Sequence, residues 1–384
     1  VRSKLGLIFY NSNDNWIGGT YYFLNLISAL KTLPDFEKPE IFVFSWNKKD
    51  FEIFEMTGYE YIKHVSYELS FSLNFIEKKL FAIFPDIIKR YKKYSNRSFP
   101  SDIVDVVFPY DFNIKLRKVK KKVFWIPDFQ DYYLPQFFSE KELVERKKLY
   151  TKIASQKNAT LILSSLSAQS DFTQHHPNAK CNTIVINFAV THPSFDHIDF
   201  EELRKKYDIS DNYFIVPNQF WAHKNHMSVL KAVLRLKKEN PQILVLFTGK
   251  EYDNRNPDYT SSLKDFVINN DISANVKFLG FIERLDLLKL MQKSIAVIQP
   301  SFFEGWSTVI EDAKAIGKSV IASELAVHKE QLGKDGIYFK PNDYFQLSEL
   351  MLKHYSISNK QIVNDYSLNV EKFAKTFIEL LGNK

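Results

Sequence analysis

The sequence predicts an α/β protein made of two doubly wound domains in succession, and three observations lead there. Short apolar runs of strand length alternate with stretches of helical spacing along nearly the whole 384-residue chain. The alternation starts afresh at Tyr213, after a segment over 190–201 that reads as a hinge. Composition agrees, since 45% apolar and 25% charged residues describe a soluble globular chain long enough for two ordinary cores. Two such series argue against a single barrel. Ligands of open parallel sheets bind beyond the carboxyl ends of the strands, which places the expected cleft between the two domains.

In the first half, strands are predicted over 5–10, 41–45, 103–108, 123–126, 161–164 and 184–188. A helix is predicted over 20–33, where Phe23, Leu24, Leu26, Ile27 and Leu30 share one face. In the second half, strands are predicted over 213–217, 243–247, 276–279, 295–298 and 319–323, with a helix over 226–238. An amphipathic helix over 370–381 closes the chain. The expected domains are 1–189 and 190–366, with 367–384 as a terminal helix.

Composition also bounds function. Cys181 is the only cysteine, so neither a disulfide framework nor a cysteine zinc site can form, and a reducing cytoplasm is the expected home. No apolar run reaches the length of a bilayer span, and no signal peptide is visible. A formal charge of +7 points to an anionic partner, such as nucleotide phosphate or an acidic membrane surface. No zinc finger, aromatic RNA-binding signature or groove-reading basic helix is present, so no nucleic acid is expected.

The richest segment is Pro300-Ser301-Phe302-Phe303-Glu304-Gly305-Trp306-Ser307-Thr308-Val309, followed by Glu311 and Asp312. Pro300-Ser301 closes a strand, and from Ser307 the apolar spacing turns helical until Gly317 stops it. Ser307 or Thr308 can cap the first turn, and the open N–H groups there suit a phosphate. Glu304 can reach sugar hydroxyls, and a carboxylate about a turn into the helix can reach a ribose. The plain alternative is an ordinary strand-to-helix turn with solvated acids.

This segment resembles the donor motif of retaining glycosyltransferases of family 4, in which a second Glu follows the first by eight residues. Glu304 matches the first acid. Asp312 stands at the second, so either this shorter acid or the adjacent Glu311 must hold the ribose. The resemblance implies a GT-B fold of two Rossmann-like domains facing a central cleft, with the last helix crossing back to the first domain. It covers nearly the whole chain and is densest over 213–343.

Other loops extend the likeness. In Asn218-Gln219-Phe220-Trp221-Ala222-His223-Lys224-Asn225, Lys224 matches a family lysine, while Gln219 stands where a phosphate-binding Arg is usual. Gly18-Gly19, after Asn11 to Ile17, matches a glycine-rich loop facing the donor phosphate or the acceptor. In Pro127-Asp128-Phe129-Gln130-Asp131, Asp128 matches a family Asp, but Pro127 replaces the usual His. Gly249-Lys250 and Gly280-Phe281 resemble the loops beside the nucleotide base, and Glu330 a recurrent capping or structural acid.

The resemblance therefore implies catalytic roles for Glu304, Lys224 and Asp128. Donor contacts are expected from Gly18, Gly19, Gln219, Asn225, Gly249, Lys250, Gly280, Gly305, Trp306, Ser307, Thr308, Val309, Glu311 and Asp312. Gln130 and Asp131 are expected on the acceptor side. Neither a metal nor another cofactor is implied, since Lys224 and helix N–H groups can neutralise a diphosphate. The partners expected are a UDP- or GDP-sugar and a glycan or lipid-linked acceptor. Residues 74–94 mix aromatic and basic side chains and could meet an anionic membrane, although a core helix with a basic face fits the same pattern. Two other readings stay open: a nucleotide-sugar epimerase of the same fold, and a degenerate transferase acting as a binding subunit.

Overall fold

The computed structural model of the protein describes residues 2–9, 17–45, 48–66, 103–113, 119–253, 255–356 and 365–382. Among these, two parallel sheets form. The first contains β1 Lys4–Ile8, β2 Glu40–Ser45, β3 Ile62–Ser66, β4 Val106–Phe108, β5 Lys121–Ile126, β6 Ala159–Leu163 and β7 Asn182–Val185. The second contains β8 Phe214–Pro217, β9 Val245–Thr248, β10 Val276–Gly280, β11 Val297–Gln299, β12 Val320–Ser323 and β13 Ile337–Phe339. Their orders are β3-β2-β1-β4-β5-β6-β7 and β10-β9-β8-β11-β12-β13.

Each sheet reverses its winding once, between β1 and β4 in the first and between β8 and β11 in the second. Chain leaving neighbouring strands at such a point diverges to opposite faces, and a crevice opens beyond their carboxyl ends. Inner strands such as β4, β6, β8, β9 and β12 are buried throughout and therefore read as near-continuous apolar runs. Each fully buried Val, Leu, Ile or Phe side chain contributes about 1.5–3 kcal/mol.

The helix Ile17–Lys31 begins before its expected start, so Gly18 and Gly19 lie in its first turn and not in the loop ahead of it. The helix Ser367–Gly382 returns to the first domain. Its Phe373 and Phe377 pack against Tyr22 and Phe108, with ring centroids 5.8 and 5.2 Å apart. β3 and β13 were not foreseen. The first, Ile-Lys-His-Val-Ser at a sheet edge, shows neither alternation nor an apolar run, and the second has three residues, too short to show a period.

The domains touch through specific polar contacts. Trp306 Nε1 donates to the Phe188 carbonyl at 3.0 Å. Glu330 accepts from Leu166 N at 3.0 Å and Asn187 Nδ2 at 3.2 Å, so an acid of the second domain caps the helix Leu166–His175 of the first. Gly305 lies against the loop after β5, where an added Cβ would sit 2.4 Å from the Pro127 carbonyl oxygen. Only glycine allows that approach.

Candidate functional site

The chain leaving β8 and the chain leaving β11 meet at one cavity of about 400 Å³. Gln219, Trp221 and Lys224 come from the first of these, and Glu304, Trp306, Ser307, Thr308, Val309 and Asp312 from the second. Gly18 and Tyr21 face it from the first domain. A larger hollow of about 1160 Å³ lies at the hinge between Thr32, His192, Phe195, Ala315 and Tyr366, and neither Lys224 nor Glu304 lines it.

Glu304 is the hub. Its Oε1 accepts from Lys224 Nζ at 2.6 Å, Gln299 Nε2 at 2.8 Å and Ser301 Oγ at 2.7 Å. Gln299 is itself held, since its Oε1 accepts from Asn218 Nδ2 at 3.0 Å. Burial opposes a charge on Glu304, but Lys224 and these donors outweigh it and hold the carboxyl below its ordinary range. His328 lies nearby, buried, with Nδ1 2.8 Å from the Ser323 carbonyl oxygen. A carbonyl only accepts, so Nδ1 carries the proton and Nε2 presents a lone pair.

The helix Thr308–Ala315 starts at the cavity wall. Ser307 caps it by accepting from Ile310 N at 3.3 Å, while Ser307 N donates to Gln331 Oε1 at 3.0 Å. Thr308 and Val309 are left as first-turn residues whose N–H groups have no partner within the helix. Asp312 lies deeper on the same wall, gripped by Arg284 through contacts of 2.8 and 2.5 Å.

Gly249 also lines the cavity, at φ 146°, where a Cβ would collide with the Asn218 carbonyl. Asp128 of the first domain does not line the cavity but packs against Gly305, where an added Cβ would sit 2.6 Å from the Asp128 Cβ. Its Oδ1 accepts from Gln130 N at 3.0 Å, and burial, with help from Glu304, pushes its carboxyl up. Among the described residues, no cluster of three or more His, Cys, Asp or Glu side chains is arranged to hold a metal ion.

Residues 199–372 match the family model of group 1 glycosyl transferases. The chain is also 23% identical, over 227 residues, to the O-antigen chain mannosyltransferase RfbU of Salmonella typhimurium. That match covers 59% of this chain and 58% of that protein, so the chain spans little more than half the length of this curated relative. A glycosyltransferase from Rickettsia africae has the same fold at a TM-score of 0.65 and 17% identity, with all of both chains covered. Alr3699/HepE of Anabaena, solved with UDP and glucose, superposes at 0.64 with 16% identity, covering 99% of this chain and 95% of that one. The fold is GT-B.

Several expected site residues lie elsewhere. Glu311 points away from the cavity, and its carboxylate accepts from Lys314, Gln331 and Tyr366. Asn225 adopts a left-handed turn at φ 57° and ties the Pro300 and Pro341 carbonyls together, a structural task. Gln130 and Asp131 turn into the first domain, where Asp131 Oδ1 accepts from the Tyr150 hydroxyl at 2.9 Å. Both are buried.

Gly19, Lys250, Gly280 and Gly305 frame the site without lining the cavity. Lys250 offers its carbonyl to Phe220 N at 3.0 Å, and the Gly280 carbonyl accepts from Gly249 N at 2.9 Å. Residues 11–16 and the basic aromatic stretch 74–94 lie outside the described residues, and the membrane expectation goes with the latter.

Sequence reading missed Gln299, Asn218, Arg284 and His328. Gln299 and Asn218 close buried strands, where a polar side chain in an apolar run is the available signal. Arg284 offered a different sign. It opens the helix Arg284–Lys293, where a cation opposes the helix dipole. Among the described residues, no helix is long and apolar enough to cross a membrane.

Proposed function

We propose that the protein is a retaining, metal-independent glycosyltransferase of family 4, moving a sugar from a UDP- or GDP-sugar to a hydroxyl of a surface polysaccharide or lipid-linked glycan. The observation that carries this reading is the junction of Lys224 and Glu304 beside the open start of the Thr308–Ala315 helix. A cation and N–H donors suit a diphosphate, and a fixed carboxylate beside them suits sugar hydroxyls. The mannosyltransferase relative and the UDP-bound neighbour support the donor class.

In this reaction the bond from the anomeric carbon to the diphosphate oxygen breaks. The acceptor oxygen attacks from the same face, and its proton passes to the departing phosphate oxygen. Lys224 and the Thr308 and Val309 N–H groups would stabilise the charge that develops on that phosphate, each such donor contributing roughly 3 kcal/mol. Glu304 would orient the sugar. With cationic charge supplied by Lys224, no metal is needed at the diphosphate.

Incubating the protein with UDP- and GDP-sugars tests the reading. Slow donor hydrolysis, or transfer to added glycolipid with the anomeric configuration kept, is expected. Interconversion of free nucleotide sugars without an acceptor would identify an epimerase. Absence of turnover with every donor would leave a binding subunit.

A further inference from the structure

Arg284 and Asp312 form a bidentate pair inside the cavity, with Nη1 2.8 Å from Oδ2 and Nη2 2.5 Å from Oδ1. We infer that Arg284 is a positioning residue that aims the Asp312 carboxylate at the ribose hydroxyls of the nucleotide. The inference rests on the reading of the cavity as a nucleotide-sugar site.

Four observations carry it. Arg284 and Asp312 line the same cavity as Thr308, Val309 and Glu304. Glu311, the other acid available for a ribose, is consumed behind the site by Lys314, Gln331 and Tyr366. Arg284 stands at the first position of its helix, where its charge is unfavourable unless an acid faces it, and Asp312 is that acid. The guanidinium also lies 5.4 Å from the centre of the Tyr21 ring, so the first domain backs it from the other side.

The chemistry follows from side-chain length. Aspartate is one methylene shorter than glutamate, and its reach from the helix is correspondingly less. A planar fork that takes both oxygens fixes the carboxylate plane. A carboxylate has about four lone-pair directions, so two are left for vicinal hydroxyls. His192 approaches Asp312 from the hinge, its Nε2 3.6 Å from Oδ1, and burial holds its pKa down. Arg284 is therefore the permanent counter-charge of Asp312.

Calorimetric titration with UDP, GDP and their 2′-deoxy analogues tests this on the full chain. The wild type should bind at least one ribonucleotide about tenfold more tightly than its deoxy analogue, the worth of a hydrogen bond to a charged acceptor. In Arg284→Gln and Arg284→Lys that preference should shrink to about threefold or less, with deoxynucleotide binding held near wild type, because neither side chain grips both oxygens. Lys keeps the charge beside Asp312 and decides the matter if the Gln variant does not fold. A folded variant that keeps the full preference overturns the inference. Equal weakening of ribo- and deoxynucleotide also overturns it and assigns Arg284 to the diphosphate or base. If the wild type binds neither UDP nor GDP, the reading of the cavity fails first and the inference fails with it.

Discussion

Lys224 Nζ lies 2.6 Å from Glu304 Oε1, joining the chain that leaves β8 to the chain that leaves β11. These are the two strands beside which the second sheet reverses, so the ion pair sits at the point where the topology opens a crevice. Both side chains are largely buried, at 15% and 9% exposure. Lys224→Ala would strand a buried carboxylate and should cost about 3 kcal/mol of stability. It should also weaken nucleoside diphosphate binding more than nucleoside binding, because the lost contact is to phosphate. Calorimetric titration of both ligands checks this, and equal losses would remove Lys224 from the diphosphate.

Glu304→Gln keeps volume and one acceptor oxygen, so Gln299 and Ser301 can still donate to it. The charge that balances Lys224 disappears. Turnover should fall about 100-fold, a loss of the size seen when one preorganised polar group is removed, and the unfolding midpoint should drop as well, because the largely buried Lys224 loses its counter-charge. Steady-state rates beside a denaturation curve measure both. A variant at the wild-type rate would take this loop out of the chemistry.

The parallel strands were legible because burial on both faces writes them as apolar runs, as in residues 214–217 and 297–299. The acidic segment was legible because a strand end, a loop acid and a helix cap must follow in that order. What escaped depends on long-range contact. Nothing local tells that Glu311 faces Tyr366, 55 positions away, while Asp312 beside it turns to the cavity. A helix offset of one residue, about 100°, decides this, and only packing fixes which way it falls. Asn225 misled for the opposite reason. Its amide looked available for phosphate, but a left-handed turn commits it to two carbonyls.

Glu330 links the domains by capping the helix Leu166–His175. Glu330→Ala should uncover the Leu166 and Ser167 amides at a cost of about 1 kcal/mol. Their hydrogen exchange should quicken, while β6 amides such as Ile162 exchange as in the wild type. Unchanged exchange at Leu166 would mean that this contact does not hold the domains in solution.

Transfer should survive EDTA, because Lys224 and the helix start carry the positive character that a divalent ion would otherwise supply. Activity assays with and without chelator decide it. Complete loss, restored by magnesium or manganese, would overturn the metal-free mechanism.

Acid should destabilise the fold well before its carboxylates titrate. His226 is fully buried, stacked on Phe220 with ring centroids 4.7 Å apart, and burial lowers its pKa to about 3. An unfolded chain protonates this histidine below about 6.5. Between those values the unfolded state binds the extra proton, so stability present at neutral pH is lost as the pH falls. From pH 7 to pH 5 the loss from His226 alone is about 2 kcal/mol. His223 is held well below its ordinary value by burial and adds with the same sign. Urea midpoints measured across this range should drop steadily for the wild type. His226→Phe keeps a ring against Phe220 and removes one titration, so its midpoints should fall less steeply. Identical slopes for the two proteins would show that His226 is not held neutral.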